Sequence, residues 1–255
     1  LVLIDSGQVP NALVVDELVG LVALGHLGAV GFEIPEAHSA AAVDGLLQLM
    51  AEAQSDLLIV SPYFVPGRRM MDQLAAIRQK NVRIRVLTNS LASNDAPIAH
   101  AGSARHRPEL LATGLELYEM RSELSGLRSV FQGTGSSGVT GSSGDSKAML
   151  HSKLLILDGR LLVIGSMNLD LRSQLQNTEI ALLIRSRSLS ARATEQIEAA
   201  LEDAAWRVEQ DSEGRLVWRA PKDSGLKDAT AEPDTSAPLR WLVRILGWFA
   251  PDHLL

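Results

Sequence analysis

From residue 40 onward the chain alternates segments of helical spacing with short apolar runs, and that alternation restricts the available folds more than any other feature. Ala40–Ala53 puts Val43, Leu46, Leu47 and Met50 on one helical face. The apolar run Asp56–Val60 follows, ended by Ser61-Pro62 and Pro66-Gly67. Met70–Gln79 reads as helix, Val82–Leu87 as a strand with alternating Arg83 and Arg85, Asp95–Ala112 as helix, and Leu115–Met120 as strand. Met149–Leu157 and Leu161–Ile164 read as strands joined by Asp158-Gly159-Arg160, with a third strand at Thr178–Ile184. Leu189–Trp206 reads as a long helix and Arg207–Arg219 as a hairpin around Ser212-Glu213-Gly214. Strands alternating with helices predict an α/β/α sandwich with a mixed central sheet.

With 255 residues, 46% of them hydrophobic, the chain can bury a substantial core. It has no cysteine, which excludes disulfides, thiolate metal sites and cysteine nucleophiles. A net charge of −6 argues against a nucleic-acid partner, which requires a basic face. The first residue is Leu1, so a missing N-terminal portion is expected. Leu18–Phe32 is apolar and free of charge but shorter than the ~20 residues of a spanning helix. Gly20, Gly25, Gly28, Gly31 and His26 interrupt it, and it reads as a buried N-terminal segment within a lead-in over 1–39. Ser125–Lys147 holds six glycines and seven serines and reads as a mobile loop beside a site. The domain is expected over 40–220, followed by a polar linker over 221–238 and an amphipathic tail over 239–255.

The chemistry concentrates where that loop ends. His151 and Lys153, two residues apart on an expected strand, point to the same face. An imidazole beside an ammonium suits an oxyanion such as phosphate: Lys153 supplies charge and donors, and His151 can attack or move a proton near neutral pH. Gly165 permits close backbone approach, while Ser166 and Asn168 add neutral hydrogen-bonding groups. The complete pattern is H-x-K-x4-D-x6-G-S-x-N, from His151 through Lys153 and Asp158 to Asn168.

This pattern resembles the HKD motif of the phospholipase D superfamily. The resemblance extends to Asn177 and Glu179, since that family carries a downstream carboxylate that orients the motif histidine. It implies metal-free phosphodiester chemistry without a cofactor, through a phosphohistidine, with two HKD motifs in one site. Lys153, Ser166 and Asn168 would hold the phosphate, Glu179 would orient His151, and Asp158 would brace the motif strands. No other histidine here has a lysine two residues on, so the chain supplies one motif. The second is expected from a missing N-terminal half, with 1–39 as the remnant of an inter-half connection, or from a homodimer mate.

Ser61-Pro62-Tyr63-Phe64-Val65-Pro66-Gly67 and the stretch Leu87–Asp95 followed by His100 are similar to segments of bacterial cardiolipin synthases. Arg172-Ser173 ahead of Asn177-x-Glu179 adds to this similarity, which covers about residues 55–250. It implies a phosphatidyltransferase acting on phospholipids at the bacterial inner membrane, peripherally bound. A homodimeric phosphodiesterase or nuclease, and an inactive fragment, stand as alternatives. His100 is expected either to line the phosphate pocket or to face solvent. In the tail, Arg240 and Arg244 beside Trp241, Leu242, Ile245, Trp248 and Phe249 suit either a bilayer surface or docking on the domain.

Overall fold

A computed structural model describes residues 2–5, 39–95, 97–122, 149–170 and 181–249. The apolar run 18–32, the Gly/Ser loop 125–147, Arg172, Ser173, Asn177 and Glu179 lie outside the described residues. The helices are α1 (Ser39–Ala51), α2 (Arg68–Gln79), α3 (Pro97–Ala112), α4 (Arg187–Asp203) and α5 (Ala237–Phe249). The strands are β1 (Val2–Asp5), β2 (Asp56–Val60), β3 (Phe64–Val65), β4 (Arg83–Asn89), β5 (Glu116–Met120), β6 (Leu154–Leu157), β7 (Leu161–Gly165), β8 (Leu169–Asp170), β9 (Ala181–Arg185), β10 (Ala205–Gln210) and β11 (Leu216–Arg219).

Nine strands form one sheet in the order β1-β9-β7-β6-β2-β4-β5-β10-β11. The pairs β2–β4, β4–β5 and β1–β9 are parallel and the others antiparallel, which makes the mixed sheet that the sequence alternation implies. Period-two burial divides the layers. Leu57 and Ile59 of β2 pack with Leu46 and Met50 of α1, Leu74 and Ile77 of α2, and Leu110 of α3. Leu58 and Val60 point the other way, into a cluster with Ala193, Ile197 and Leu201 of α4. The result is an α/β/α sandwich.

Three local readings shift. The helix expected at Leu189–Trp206 begins at Arg187, capped by Ser186 Oγ accepting from the Leu189 N–H at 3.3 Å, and stops at Asp203. Trp206 is buried on the α1–α2 face of the sheet, whereas α4 covers the opposite face, so the chain must leave the helix to deliver the indole. Val2–Asp5, in the expected lead-in, joins the sheet as an edge strand parallel to β9. The polar stretch 221–238 is fastened to the domain: Trp218 and Ala229 exchange backbone hydrogen bonds at 2.8 and 2.9 Å, and Glu232 reaches a buried network on α3.

That network joins charges on α3, β5 and the 221–238 stretch with the indole of β11. Glu119 of β5 accepts from Arg107 Nε at 2.7 Å and from the Trp218 indole at 2.8 Å. Glu232 accepts from Arg107 Nη1 at 2.5 Å and lies 3.1 Å from His100 Nε2. Burial alone would push the Glu232 carboxyl up, but Arg107 and His100 bring it down to about 2. His100 is therefore buried and paired, neither at a phosphate pocket nor facing solvent.

Candidate active site

The site forms at one edge of the sheet. β2 and β4 run parallel and end there, and the register of Val60 with Leu154 and of Leu154 with Ile164 brings the start of β6 and the end of β7 to the same edge. Crevices beyond the carboxyl ends of parallel strands are natural ligand sites, because several loops converge there. Here the converging loops are 61–67, 89–95, 149–153 and 166–168.

His151 and Lys153 lie just ahead of β6 rather than within its ladder. One further backbone bond, Gly165 N–H to the Lys153 carbonyl at 3.1 Å, continues the β6–β7 pairing up to the lysine. Before that point no sheet neighbour among the described residues holds the chain, and Asn89 substitutes for one. Its Oδ1 accepts from the Leu150 N–H at 2.8 Å, and its Nδ2 donates to the Leu150 carbonyl at 3.2 Å. Both residues are buried, so this amide pair satisfies two backbone groups that water does not reach. It fixes the peptide immediately before His151.

The imidazole is exposed and the lysine half-buried, with Lys153 Nζ donating to the His151 carbonyl at 2.9 Å. The Lys153 ammonium, together with partial burial, holds His151 below the ordinary histidine range, against the opposing pull of the Asp95 carboxylate. This direction favours the neutral imidazole, the form able to accept a proton or to attack. Lys153 and Gly165 line a small pocket open to solvent with Leu46, Val60, Met167 and Leu169, and the lysine is the one charged residue among the described lining residues.

Ser166 and Asn168 follow β7 and are tied to the 61–67 loop. β3 and β8 pair in parallel, Phe64 with Leu169 and Val65 with Asp170. Buried Ser61 strengthens the tie, accepting from the Leu169 N–H at 3.0 Å and donating to the Tyr63 carbonyl at 2.7 Å. Ser166 is exposed, and Asn168 is half-buried with its Oδ1 fully covered and without a hydrogen-bond partner among the described residues. A buried amide oxygen left unpaired asks for a partner that the described residues do not supply.

Asp158 lies at the far end of β6, away from His151. Its carboxylate accepts from the backbone N–H groups of Gln54, Ser55 and Asp56 at 3.0, 2.8 and 3.1 Å. Burial opposes ionisation there, yet these donors hold the carboxyl below the usual range. Asp158 and Gly159 both have left-handed backbone, φ 50° and 57°, as a tight turn between β6 and β7 requires. The aspartate thus braces the turn against the α1–β2 loop and is placed away from the reacting edge.

Asn89, Ser61, Tyr63 and Asp95 had no individual roles in the sequence reading. Tyr63 Oη donates to the Asp95 carboxylate, joining the 61–67 and 89–95 loops beside His151. The available signal was the pair of segments Ser61–Gly67 and Leu87–Asp95, which carried likeness without chemistry.

Residues 46–201, which span β2 through most of α4 and include every motif position, match the family model described as cardiolipin synthase, PLD-like domain. The chain belongs to this phospholipase D-like family. This phospholipase D-like chain is 38% identical over 213 residues to cardiolipin synthase C of Escherichia coli, covering 82% of the chain and 43% of that relative. It is 31% identical over 194 residues to an uncharacterised protein of Helicobacter pylori, covering 75% of the chain and 36% of that protein. It spans less than half the length of these relatives. Its fold is similar to the crystal structure of phosphatidylserine synthase from Haemophilus influenzae, with a TM-score of 0.53 and 17% identity over 84% of this chain and 44% of that one.

Proposed function

We propose that the chain supplies the second HKD half of a phosphatidyltransferase of the cardiolipin synthase type, peripherally bound at a bacterial inner membrane. The observation that carries this reading is the imidazole of His151 beside the Lys153 ammonium, on a peptide locked by Asn89 and next to the loop of Ser166 and Asn168. In the proposed reaction, the histidine of the first motif attacks phosphorus and the bond to the headgroup oxygen breaks. His151 gives that oxygen its proton, so that an alcohol such as glycerol leaves. His151 then takes the proton of an acceptor hydroxyl on a second phospholipid, whose oxygen attacks phosphorus and releases the first histidine.

Lys153, Ser166 and Asn168 hold the nonbridging oxygens as negative charge develops on them. Glu179, by resemblance, orients His151. The acid step needs a protonated imidazole, which the free site disfavours. A bound phosphodiester supplies a negative charge that offsets Lys153 and returns the imidazole toward its protonated form. The test is to add the chain to phosphatidylglycerol vesicles, alone and with an N-terminal HKD half, and to follow cardiolipin and free glycerol by mass spectrometry. Product that requires both halves and is lost in His151→Ala supports the reading. Product that survives His151→Ala refutes the mechanism, and cleavage of DNA in place of lipid turnover refutes the substrate class.

A further inference from the structure

Helix α5 is apolar on two sides, and the domain uses one of them. On the inner side Val243 is buried against Leu91 and Ala101, with Leu239 and Leu246 packed beside it. Gly247 also faces α3, where a Cβ would make ordinary contact with the Ala101 carbonyl oxygen at 3.7 Å. On the outer side Trp241, Leu242 and Ile245 are 65, 50 and 53% exposed, the most exposed large apolar side chains among the described residues. Singly exposed apolar residues need no explanation, but three within five positions on one helix form a patch. Two arginines and no acidic residue accompany them: Arg240 donates to the Thr235 carbonyl at 2.6 Å, and Arg244 is exposed with no carboxylate partner among the described residues.

Size decides between a protein partner and a membrane. Thirteen residues make a helix about 20 Å long, whose exposed apolar side chains offer roughly 400 Å², about half of the ~800 Å² per partner in a stable protein interface. A bilayer surface needs no such area, and it favours this composition: indole and aliphatic groups at the headgroup–acyl boundary, with arginines toward anionic phosphates. The helix is too short to cross the ~30 Å hydrocarbon core and suits lying in the plane. Its anchorage is firm, because Glu232, just ahead of it, is held by Arg107 and His100 of α3. Its inner contact Leu91 belongs to the loop that also carries Asn89 and Asp95 beside the candidate site.

We propose that the outer face of α5 docks on the surface of an anionic phospholipid membrane, with Trp241, Leu242 and Ile245 entering it and Arg240 and Arg244 meeting phosphates. This places α5, which packs on the 89–95 loop through Leu91, at the membrane surface. The inference deepens the phosphatidyl-transfer reading and rests on it only for what the site does once docked.

The test uses the full chain with phosphatidylglycerol–phosphatidylcholine vesicles and with phosphatidylcholine alone. The variant Trp241→Ser/Leu242→Ser/Ile245→Ser alters exposed positions only, and an unchanged thermal melt verifies its fold. Vesicle partitioning is expected to fall by roughly a hundredfold or more in this variant. Arg244→Glu is expected to lower it roughly tenfold on the anionic vesicles alone. Bromine-labelled acyl chains are expected to quench Trp241, read as the difference between wild type and Trp241→Phe. Undiminished binding by the triple variant, or no quenching of Trp241, overturns the proposal. So does a wild-type dimer that the triple variant dissociates without change in vesicle binding, since a second copy would then cover the face. Binding that depends on α5, with no lipid turnover even when an N-terminal HKD half is added, upholds docking and counts against the transferase reading. Turnover with binding indifferent to α5 sinks docking alone.

Discussion

Replacing Asn89 by alanine tests whether one side chain, 62 residues before the motif histidine, sets that histidine's backbone. Asn89 and Leu150 are 2 and 1% exposed, so the N–H and carbonyl of Leu150 have no water to turn to when the amide is removed. Two buried backbone groups left unpaired at about 1–3 kcal/mol each give an expected loss of about 2–6 kcal/mol. Asn89→Asp keeps an acceptor for the Leu150 N–H at 2.8 Å but puts an oxygen where Nδ2 donated at 3.2 Å, so it should cost a comparable amount. Urea denaturation measures both. Amide exchange should then accelerate at Leu150 and His151 in either variant while α4 keeps its protection. In a reconstituted transferase, a displacement of His151 by about 1 Å is expected to lower kcat on the order of a hundredfold. A loss below about 1 kcal/mol in Asn89→Ala, with unaltered exchange at Leu150, would refute the reasoning.

Three further outcomes follow from the charges. The Glu232 carboxyl, down from an ordinary 4.5 to about 2, contributes roughly 3 kcal/mol that is present above pH ~4.5 and lost as pH falls through 2. Glu232→Gln should therefore be less stable by about that much at pH 7, with the gap to wild type closing near pH 2 in acid-denaturation curves. Asp158 is likewise depressed, so its stabilisation is present above the ordinary aspartate range and fades on acidification. Asp158→Asn, which keeps the left-handed turn, should lose about 1–3 kcal/mol at neutral pH by urea denaturation, and Asp158→Ala more, because the turn suffers as well. In NMR titrations the His151 pKa should rise in Lys153→Gln and fall further in Asp95→Asn, since these residues push it down and up respectively.

The layers were legible because they depend on local period. Leu57 and Ile59 against Leu58 and Val60 announce a strand covered on both faces, and the H-x-K spacing announces an oxyanion site wherever the strand lies. What was not legible depends on partners distant in sequence. Extending the strand back to Met149 assumed a sheet neighbour for every residue, whereas Leu150 is paired by the side chain of Asn89. His100 was ambiguous because its partner, Glu232, lies in a stretch whose prolines and polar residues read as a linker. Composition registers how little such a stretch can bury, but a single carboxylate that meets Arg107 is enough to fasten it.

Under the proposed reaction, the geometry of displacement at phosphorus calls for more than one such edge. The attacking and leaving atoms approach and depart on opposite sides of phosphorus, and a single imidazole reaches one of those sides. If His151 serves the leaving oxygen, the nucleophile must come from across the phosphate, and the described edge offers no second imidazole there: His100 is buried in the Glu232 network. What this edge does provide is rigidity. Ser61 and the β3–β8 pair bind the loop of Asn168 to the loop of Tyr63, Tyr63 binds Asp95, and Asn89 binds the backbone of His151. Four loops are thus cross-linked before any substrate arrives, so a second half meets a surface whose ordering entropy has already been met by folding. A second imidazole supplied in trans should therefore raise the rate without reordering this half, and loop exchange rates at 61–67 and 89–95 that stay constant on adding the N-terminal half are the expected result. Marked new protection in both loops would mean that the site is assembled by association and not by this fold.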